Sequence, residues 1–449
     1  MKAHVLYGIN DLRFEDVDKP VPKRDEVLLK VENVGICGSD IPRIYETGAH
    51  RHPLIPGHEF AGTICEEGEC AVDLFSASGD FNNSRMMKDG QIVAAKTLVG
   101  KRVGVFPLIP CGECGPCKSR QYEMCRNYNY LGSRCDGAFA EYVCVPAKNL
   151  IELPDNVSFE DAAMLEPTAV AAHAMRRLLS RELCTMTDDY LSKNSGGDTE
   201  VAGNSALISN DDTKETGTAD SGKKALCETN DSHNLAMHEA DKEDNRGTGK
   251  KIAVIGLGTI GLLLTMHLLN EFSKDPSYEI IVVGNKEFQK EKAMGLGIKA
   301  ENYFDSKSGD TVEWILEKTG GMGAYAVFEC VGKNETYSQA IEAAAPAGKV
   351  MLLGNPASDM ALSKNIYWKI LRNQLTVMGT WNSSFTGEVT DDWHYVIDKL
   401  KEGAIKPSEL ISHRFDLECL ETGLHIMRDK TEDYVKIMIS NYAKGENCL

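Results

Sequence analysis

A parallel, doubly wound α/β sheet with a second domain beside it is the fold class this chain predicts, and three observations predict it. From residue 252 onward, apolar strand-like runs alternate with helical stretches, the pattern of βα units around a parallel sheet. The first of those strands runs straight into Gly256-Leu-Gly258-Thr259-Ile260-Gly261, a G-x-G-x-x-G turn at a helix start. The length of 449 residues exceeds what one core organises, so two or more domains are expected.

Taken in order, residues 1 to about 60 read as short strands and loops, with Glu26 to Glu32 the clearest strand. The stretch from about 65 to 100 is mixed, and Ser76 to Ser84 is a loop signal. Gly137 to Val145 reads as a strand, and Phe159 to Leu179 as a helix with Ser158 as N-cap and Pro167 interrupting it. From about 181 to 249 Ser, Thr, Asn, Asp, Gly and Lys dominate. That composition buries too little apolar surface to offset ordering entropy, which predicts a long, mostly flexible insertion. Within it Val201 to Ile208 is a candidate short ordered piece, and His233 and His238 read as solvated rather than metal-binding. Strands are then expected at Ile252–Ile255, Ile280–Val283, Tyr325–Glu329 and Lys349–Leu353, and helices at Thr259–Glu271, Glu287–Leu296 and Asn334–Ala345. The pattern is mixed again from about Trp381, and no internal repeat is visible.

Composition excludes several function classes. Hydrophobic and charged contents of 42% and 26% fit a soluble globular protein. A net charge of -18 opposes binding to nucleic acid or an anionic membrane. Ile252 to Leu269 is apolar enough to suggest a membrane span, but its glycines fit a strand-turn-helix unit better. The chain starts with no apolar secretory segment, and its 14 cysteines lack small-domain spacing. Cysteines without a metal role, such as Cys330 and Cys419, are then expected to be buried small hydrophobes or solvent thiols, not disulfides, and a reducing cytoplasm is the expected location.

In the glycine turn, the first glycine permits the tight bend, the second lets backbone approach a pyrophosphate, and the third lets helix pack on strand. The helix N-terminus offers free N–H groups to the phosphate. An acid after the second strand would bond the ribose 2′-hydroxyl of NAD. Here that strand ends in Gly284-Asn285-Lys286. The acid is missing at Gly284, and Lys286 can pair with a 2′-phosphate, which favours NADP over NAD.

Cys111, Cys114, Cys117 and Cys125 stand in a C-x2-C-x2-C-x7-C pattern rich in turn formers. Four thiolates so placed can close around one tetrahedral zinc, leaving no position for water. Cys37, His58 and a carboxylate, either Glu59 or Glu166, are candidates for a second, open zinc site. Zinc there would acidify an alcohol or polarise a ketone. Ser39 is placed to relay a proton, and Asp40 to orient His58. An inactive zinc- and dinucleotide-binding sensor is the alternative of another class; the intact Cys37, Ser39, His58 and Glu166 set argues against it. A zinc-ribbon nucleic-acid binder would carry two separated cysteine pairs.

Gly57-His58-Glu59-Phe-Ala-Gly62, the Cys37-Gly38-Ser39-Asp40 loop, the four-cysteine lobe, Glu166-Pro167 and the glycine fingerprint, in that order, resemble the zinc-containing medium-chain alcohol dehydrogenases. The resemblance spans nearly the whole chain apart from about 65–100 and 181–249. It implies a GroES-like β-barrel catalytic domain from residues 1–168 and 379–449, with a structural-zinc lobe at about 104–130. It also implies a Rossmann domain over 169–378, interrupted by the insertion. Within the family, Cys37-Gly-Ser-Asp-Ile-Pro-Arg43-Ile, Gly48-Ala-His50, Leu131-Gly-Ser-Arg134, Asp136-Gly137 and Lys369 to Trp381 look most like the galactitol-1-phosphate 5-dehydrogenases and polyol dehydrogenases.

By that likeness, Cys37 and His58 ligate a catalytic zinc, with Glu59 or Glu166 joining directly or through water. Two zinc ions per chain and a nicotinamide cofactor are implied. The implied reaction oxidises a secondary hydroxyl of a polyol, foremost a hexitol phosphate, to a ketose. An unphosphorylated polyol such as sorbitol, a butanediol or a threonine-type alcohol is the alternative. Arg43 and Arg134 are candidates for a substrate phosphate or for structural salt bridges. The relatives are dimers or tetramers, so a homo-oligomer is expected.

Overall fold

A computed structural model of the protein describes residues 1–77, 86–88, 91–93, 97–184, 249–356 and 358–440. Most of Ser76–Ser84 and of the 181–249 insertion, with Val201–Ile208, His233 and His238, lies outside the described residues. Met1–Ser180 and Lys250–Leu449 form one compact unit, from which Arg181–Gly249 divides off.

Six parallel strands follow the expected alternation. Their order is Tyr303–Asp305, Tyr278–Gly284, Lys250–Ile255, Ala324–Glu329, Ala344–Leu352 and Thr376–Gly379, with every neighbouring pair parallel. In chain order this is 3-2-1-4-5-6, the doubly wound arrangement that reverses direction beside its first strand. Ile255, Ile281, Val327 and Val350 form part of its core. The Ile252–Leu269 stretch is strand Lys250–Ile255 and helix Thr259–Phe272. Among the described residues no helix is long and apolar enough to cross a membrane.

The second sheet has seven strands, with Glu26–Ile36 at its centre. That strand is buried on both faces, as a central strand must be when three neighbours share it. Glu59–Glu67, Tyr142–Pro146 and Lys436–Ser440 all pair with it antiparallel. Arg102–Val105, Leu150–Glu152 and Ile411–Asp416 complete the sheet. Phe60, Phe75, Phe139 and Leu150 pack into the core beneath.

Three expectations change. The Phe159–Leu179 helix is two, Phe159–Ala163 and Leu165–Leu178, and it breaks at Met164 rather than at Pro167. Pro167 sits in the first turn of the second helix, where the missing N–H is needed by no partner. Ser158 does cap the first helix, its hydroxyl accepting from the Asp161 N–H. Of Gly137–Val145 only the part from Tyr142 is strand; the N–H groups of Gly137, Ala138 and Phe139 bind the carbonyls of Ile55, Gly57 and Pro56 instead. Cys419 is not a free thiol but disulfide-bonded.

Candidate active site

Strand register assembles the site. Gly35 stands opposite Glu59, and Ile36 opposite Ile437. The residues just beyond those pairs, Cys37, His58 and Lys436, therefore meet at one end of three adjacent strands. Gly57 makes the turn into this end with φ +94°. A Cβ there would lie 2.7 Å from the Phe139 ring, so the bend before His58 admits only glycine.

One donor atom from each of Cys37, His58 and Glu59 lies within 4.8 Å of the others. Asp40 supports them. Its Oδ2 accepts from the Cys37 N–H at 3.0 Å, and its Oδ1 lies 3.4 Å from His58 Nδ1. The Arg43 Nη1 donates to the same Oδ1 at 2.5 Å. Asp40, His58, Glu59 and Lys436 are 0%, 4%, 2% and 3% exposed, so these charges answer to one another and not to water. Burial would lower the His58 imidazole, yet Asp40 and Cys37 raise it to about 10. Burial would likewise raise the Cys37 thiol, yet His58 brings it down to about 6. A thiolate and a carboxylate thus gather around one position that favours positive charge, and thiolate, imidazole and carboxylate donors suit zinc. Ser39 is exposed, and its hydroxyl lies 3.4 Å from Cys37 Sγ.

The two candidate carboxylates are held differently. Glu59 pairs with the buried Lys436, whose Nζ also donates to the Ile36 carbonyl at 2.9 Å. Glu166, in the first turn of its helix, accepts from the Tyr130 hydroxyl at 3.3 Å. Burial raises its carboxyl to about 7, against the pull of His58. Burial and Glu166 keep the Tyr130 phenol well above its ordinary range, so Tyr130 remains a donor. Lys436 and Tyr130 escaped the sequence reading. A lysine inside the apolar run Val435-Lys436-Ile-Met-Ile was the available signal for the first; nothing in sequence marked the second.

Arg43 is engaged by Asp40. Arg134 stacks on the Tyr128 ring at 4.5 Å, and its Nε is buried with no hydrogen-bond partner. Tyr128 meets the Tyr130 ring edge-on at 6.2 Å, and Tyr130 meets the His58 ring at 5.8 Å. Arg134 is thus linked by ring contacts to His58, and among the described residues no ion pair to a carboxylate claims it.

The four lobe cysteines also converge. Cys114 Sγ lies 3.4 Å from Cys117 Sγ and 3.9 Å from Cys125 Sγ, and Cys111 Sγ lies 3.9 Å from Cys117 Sγ. Four sulfurs at about 2.3 Å from one tetrahedral zinc would stand about 3.8 Å apart. Backbone N–H groups of Arg126 and Cys117 lower the Cys114 thiol to about 6, while burial pushes Cys117 up to about 12. Adjacent thiols cannot all ionise unless a cation shares their charge.

The glycine turn sits at the carboxyl edge of the parallel sheet. A Cβ on Gly261 would lie 1.9 Å from the Gly256 carbonyl oxygen, whereas one on Gly258 would meet nothing within 4 Å. The third glycine is needed for packing and the second leaves room for a ligand. Thr259 and the half-buried Ile260 begin the helix behind them. At the end of the second strand, a Cβ on Gly284 would lie 3.1 Å from the Tyr303 ring, so a side chain there would need that ring to shift. The Asn285 N–H donates to Gln289 at 3.1 Å, and Lys286 Nζ lies 3.2 Å from Asp433.

A doubly wound sheet with a dinucleotide turn, a second sheet that gathers thiol, imidazole and carboxylate groups, and a four-cysteine cluster fit an oxidoreductase that uses zinc and a nicotinamide. Residues 23–155 match the alcohol dehydrogenase GroES-like domain, and residues 272–402 match the zinc-binding dehydrogenase domain; together these span more than half the chain. The galactitol 1-phosphate 5-dehydrogenase of Escherichia coli K12 is 27% identical over 406 residues, 90% of this chain and 89% of that protein. The crystal structure of the Escherichia coli galactitol-1-phosphate dehydrogenase superposes with a TM-score of 0.69 at 25% identity, over 98% of this chain and 100% of that one. A zinc-binding dehydrogenase from Sinorhizobium meliloti bound to NADP gives a TM-score of 0.68 at 24% identity, with 98% of each chain covered. A short chain alcohol dehydrogenase from Escherichia coli CFT073 complexed with NADH gives 0.69 at 22%, over 98% of this chain and 99% of that one. The chain belongs to the zinc-containing medium-chain alcohol dehydrogenase family. It is a zinc-dependent, NAD(P)-linked alcohol dehydrogenase, with a GroES-like domain and a Rossmann domain.

Proposed function

We propose that the enzyme oxidises a secondary hydroxyl of a hexitol phosphate to the ketose, with NADP as acceptor. The observation that carries the phosphate is Arg134, stacked on Tyr128 within two rings of His58 and free of any ion pair to a carboxylate among the described residues. The similarity to a galactitol 1-phosphate 5-dehydrogenase supports the same substrate class. Arg43 supports the second reading, a free polyol such as sorbitol, because Asp40 already holds it.

A zinc ion held by Cys37, His58 and either Glu59 or Glu166 would supply a Lewis acid toward the substrate oxygen. A second, held by Cys111, Cys114, Cys117 and Cys125, would be structural. A nicotinamide held at the glycine turn would supply the hydride acceptor. The chain does the rest. Ser39 takes the hydroxyl proton and passes it to solvent, to which it is exposed. Asp40 orients His58, and Arg43 and the Cys37 N–H hold Asp40. Tyr130 fixes Glu166 by donating to it. Gly256, Gly258, Thr259, Ile260 and Gly261 receive the pyrophosphate, while Gly284, Asn285 and Lys286 face the ribose.

The division at 168 and 379 belongs to this reading: Thr376–Gly379 lies in the parallel sheet and Ile411–Asp416 in the other. So does a homo-oligomer, a dimer or a tetramer. Tyr367, Trp368 and Leu371 of the Lys364–Arg372 helix and Trp381, just past the Thr376–Gly379 strand, are exposed, apolar surface suited to a further copy.

Initial rates with galactitol 1-phosphate and with sorbitol, each with NADP and with NAD, test the proposal. The reading expects turnover chiefly with the phosphorylated polyol and NADP, and a rise in its KM in Arg134→Ala. A better rate with sorbitol would overturn the phosphate assignment.

A further inference from the structure

We propose that Asp433 sets the cofactor preference of this enzyme by competing with an incoming 2′-phosphate for the ammonium of Lys286. The inference rests on the reading of Lys286 as the residue facing the ribose.

Lys286 lies at the carboxyl edge of the parallel sheet, as N-cap of the Glu287–Gly295 helix. Its Nζ is engaged twice, with Asp433 Oδ1 at 3.2 Å and over the Phe288 ring at 5.2 Å. Asp433 comes from a distant part of the chain, the loop before the Lys436–Ser440 strand of the other sheet. That loop is anchored on both sides. Lys430 ends the preceding helix in the left-handed conformation, its N–H on the Ile426 carbonyl. Two residues after Asp433, the Val435 carbonyl accepts from the Thr259 hydroxyl at 2.6 Å, and Thr259 belongs to the glycine turn. The loop therefore places the Asp433 carboxylate beside the dinucleotide site.

The two cofactors meet this pair differently. The 2′-hydroxyl of NAD carries no charge and can bind with the Lys286–Asp433 pair intact. The 2′-phosphate of NADP carries a charge of about -1.5 to -2. It must draw Lys286 away from Asp433 and then lie near a like charge. Asp433 thus penalises NADP alone, and Lys286 rewards it alone.

The test uses the full-length protein and two probes that differ only in the 2′-phosphate, 2′,5′-ADP and 5′-AMP, with binding read by calorimetry. Asp433→Asn should tighten 2′,5′-ADP by roughly 3- to 5-fold, the order expected when an exposed pair no longer competes for Lys286. Affinity for 5′-AMP should not change. In a Lys286→Met background the same substitution should give less than about a twofold gain. An unchanged ratio, or an equal gain for both probes, would overturn the proposal. So would a full gain without Lys286, since simple repulsion would then suffice. The readout is the change in ratio between variant and parent. A parent that prefers NAD would defeat the NADP reading and leave this inference standing.

Discussion

Replacing Lys436 with Met removes one charge from a buried pair and leaves the other without a partner. The Lys436 ammonium neutralises Glu59 and donates to the Ile36 carbonyl, and the two side chains are 3% and 2% exposed. Methionine fills much of the same volume, so packing changes little. The cost is that of stranding a carboxylate, about 3–5 kcal/mol when one member of a buried pair is removed. Zinc changes the expectation. A metal beside Glu59 can take over the carboxylate, so the zinc-loaded variant should lose less stability than the zinc-free one. Denaturant unfolding of both forms, with equal m-values as the check on comparability, measures the two losses. Gly35→Ala provides an independent perturbation, because its Cβ would lie 2.6 Å from Lys436 Cε and 2.7 Å from Glu59 Oε2. A zinc-free Lys436→Met protein within about 1 kcal/mol of the parent would refute the reasoning.

Acid should unfold the protein partly through two histidines. Burial lowers His4 and His267 to about 4, although each ring contacts a carbonyl, of Leu417 and Thr168 respectively. Unfolded histidine titrates near 6.5. Their contribution is therefore complete above pH 6.5, falls as pH drops toward 4, and levels below. Each accounts for up to about 3 kcal/mol across that window. The stability gap between the parent and His267→Gln should narrow as pH falls from 7.5 to 4.5; a gap independent of pH would contradict the assignment. Cys114→Ser should leave one zinc per chain instead of two by elemental analysis and lower the melting temperature, and retention of both metals would remove the closed site from the account.

Much of the dinucleotide half was legible because each βα unit carries its own signal. A short apolar strand, a glycine and a helical repeat suffice, and Lys250 to Leu352 follows that reading closely. The strand Tyr303–Asp305 and the helices Thr311–Lys318 and Lys364–Arg372 were less visible. The strand is too short for periodicity to register, and the Lys364–Arg372 helix keeps only Ile366 buried. In the other half, the grouping of Cys37 with His58, and of the four lobe cysteines with one another, was legible from residue type and spacing. Their supports were not. Lys436 reaches Glu59 only because a strand some 377 residues later in the chain pairs beside Glu26–Ile36. The Gly137–Glu141 segment looked like a strand because its composition is that of one. The N–H groups of Gly137, Ala138 and Phe139 are spent holding the Gly57 turn and that of Glu141 binds the Lys2 carbonyl, a tertiary demand that no local pattern announces. The break at Met164 has the same origin: Pro167 is harmless in a first turn, so local sequence misplaced the interruption.

The most direct test of the central claim is to count zinc and measure polyol-dependent NAD(P) reduction, side by side, in the parent protein and in Cys37→Ala. The account predicts two zincs and turnover in the parent. It predicts one zinc, no detectable turnover and an intact melting transition in the variant. A Cys37→Ala protein that keeps two zincs and still turns over would show that the catalytic metal lies elsewhere.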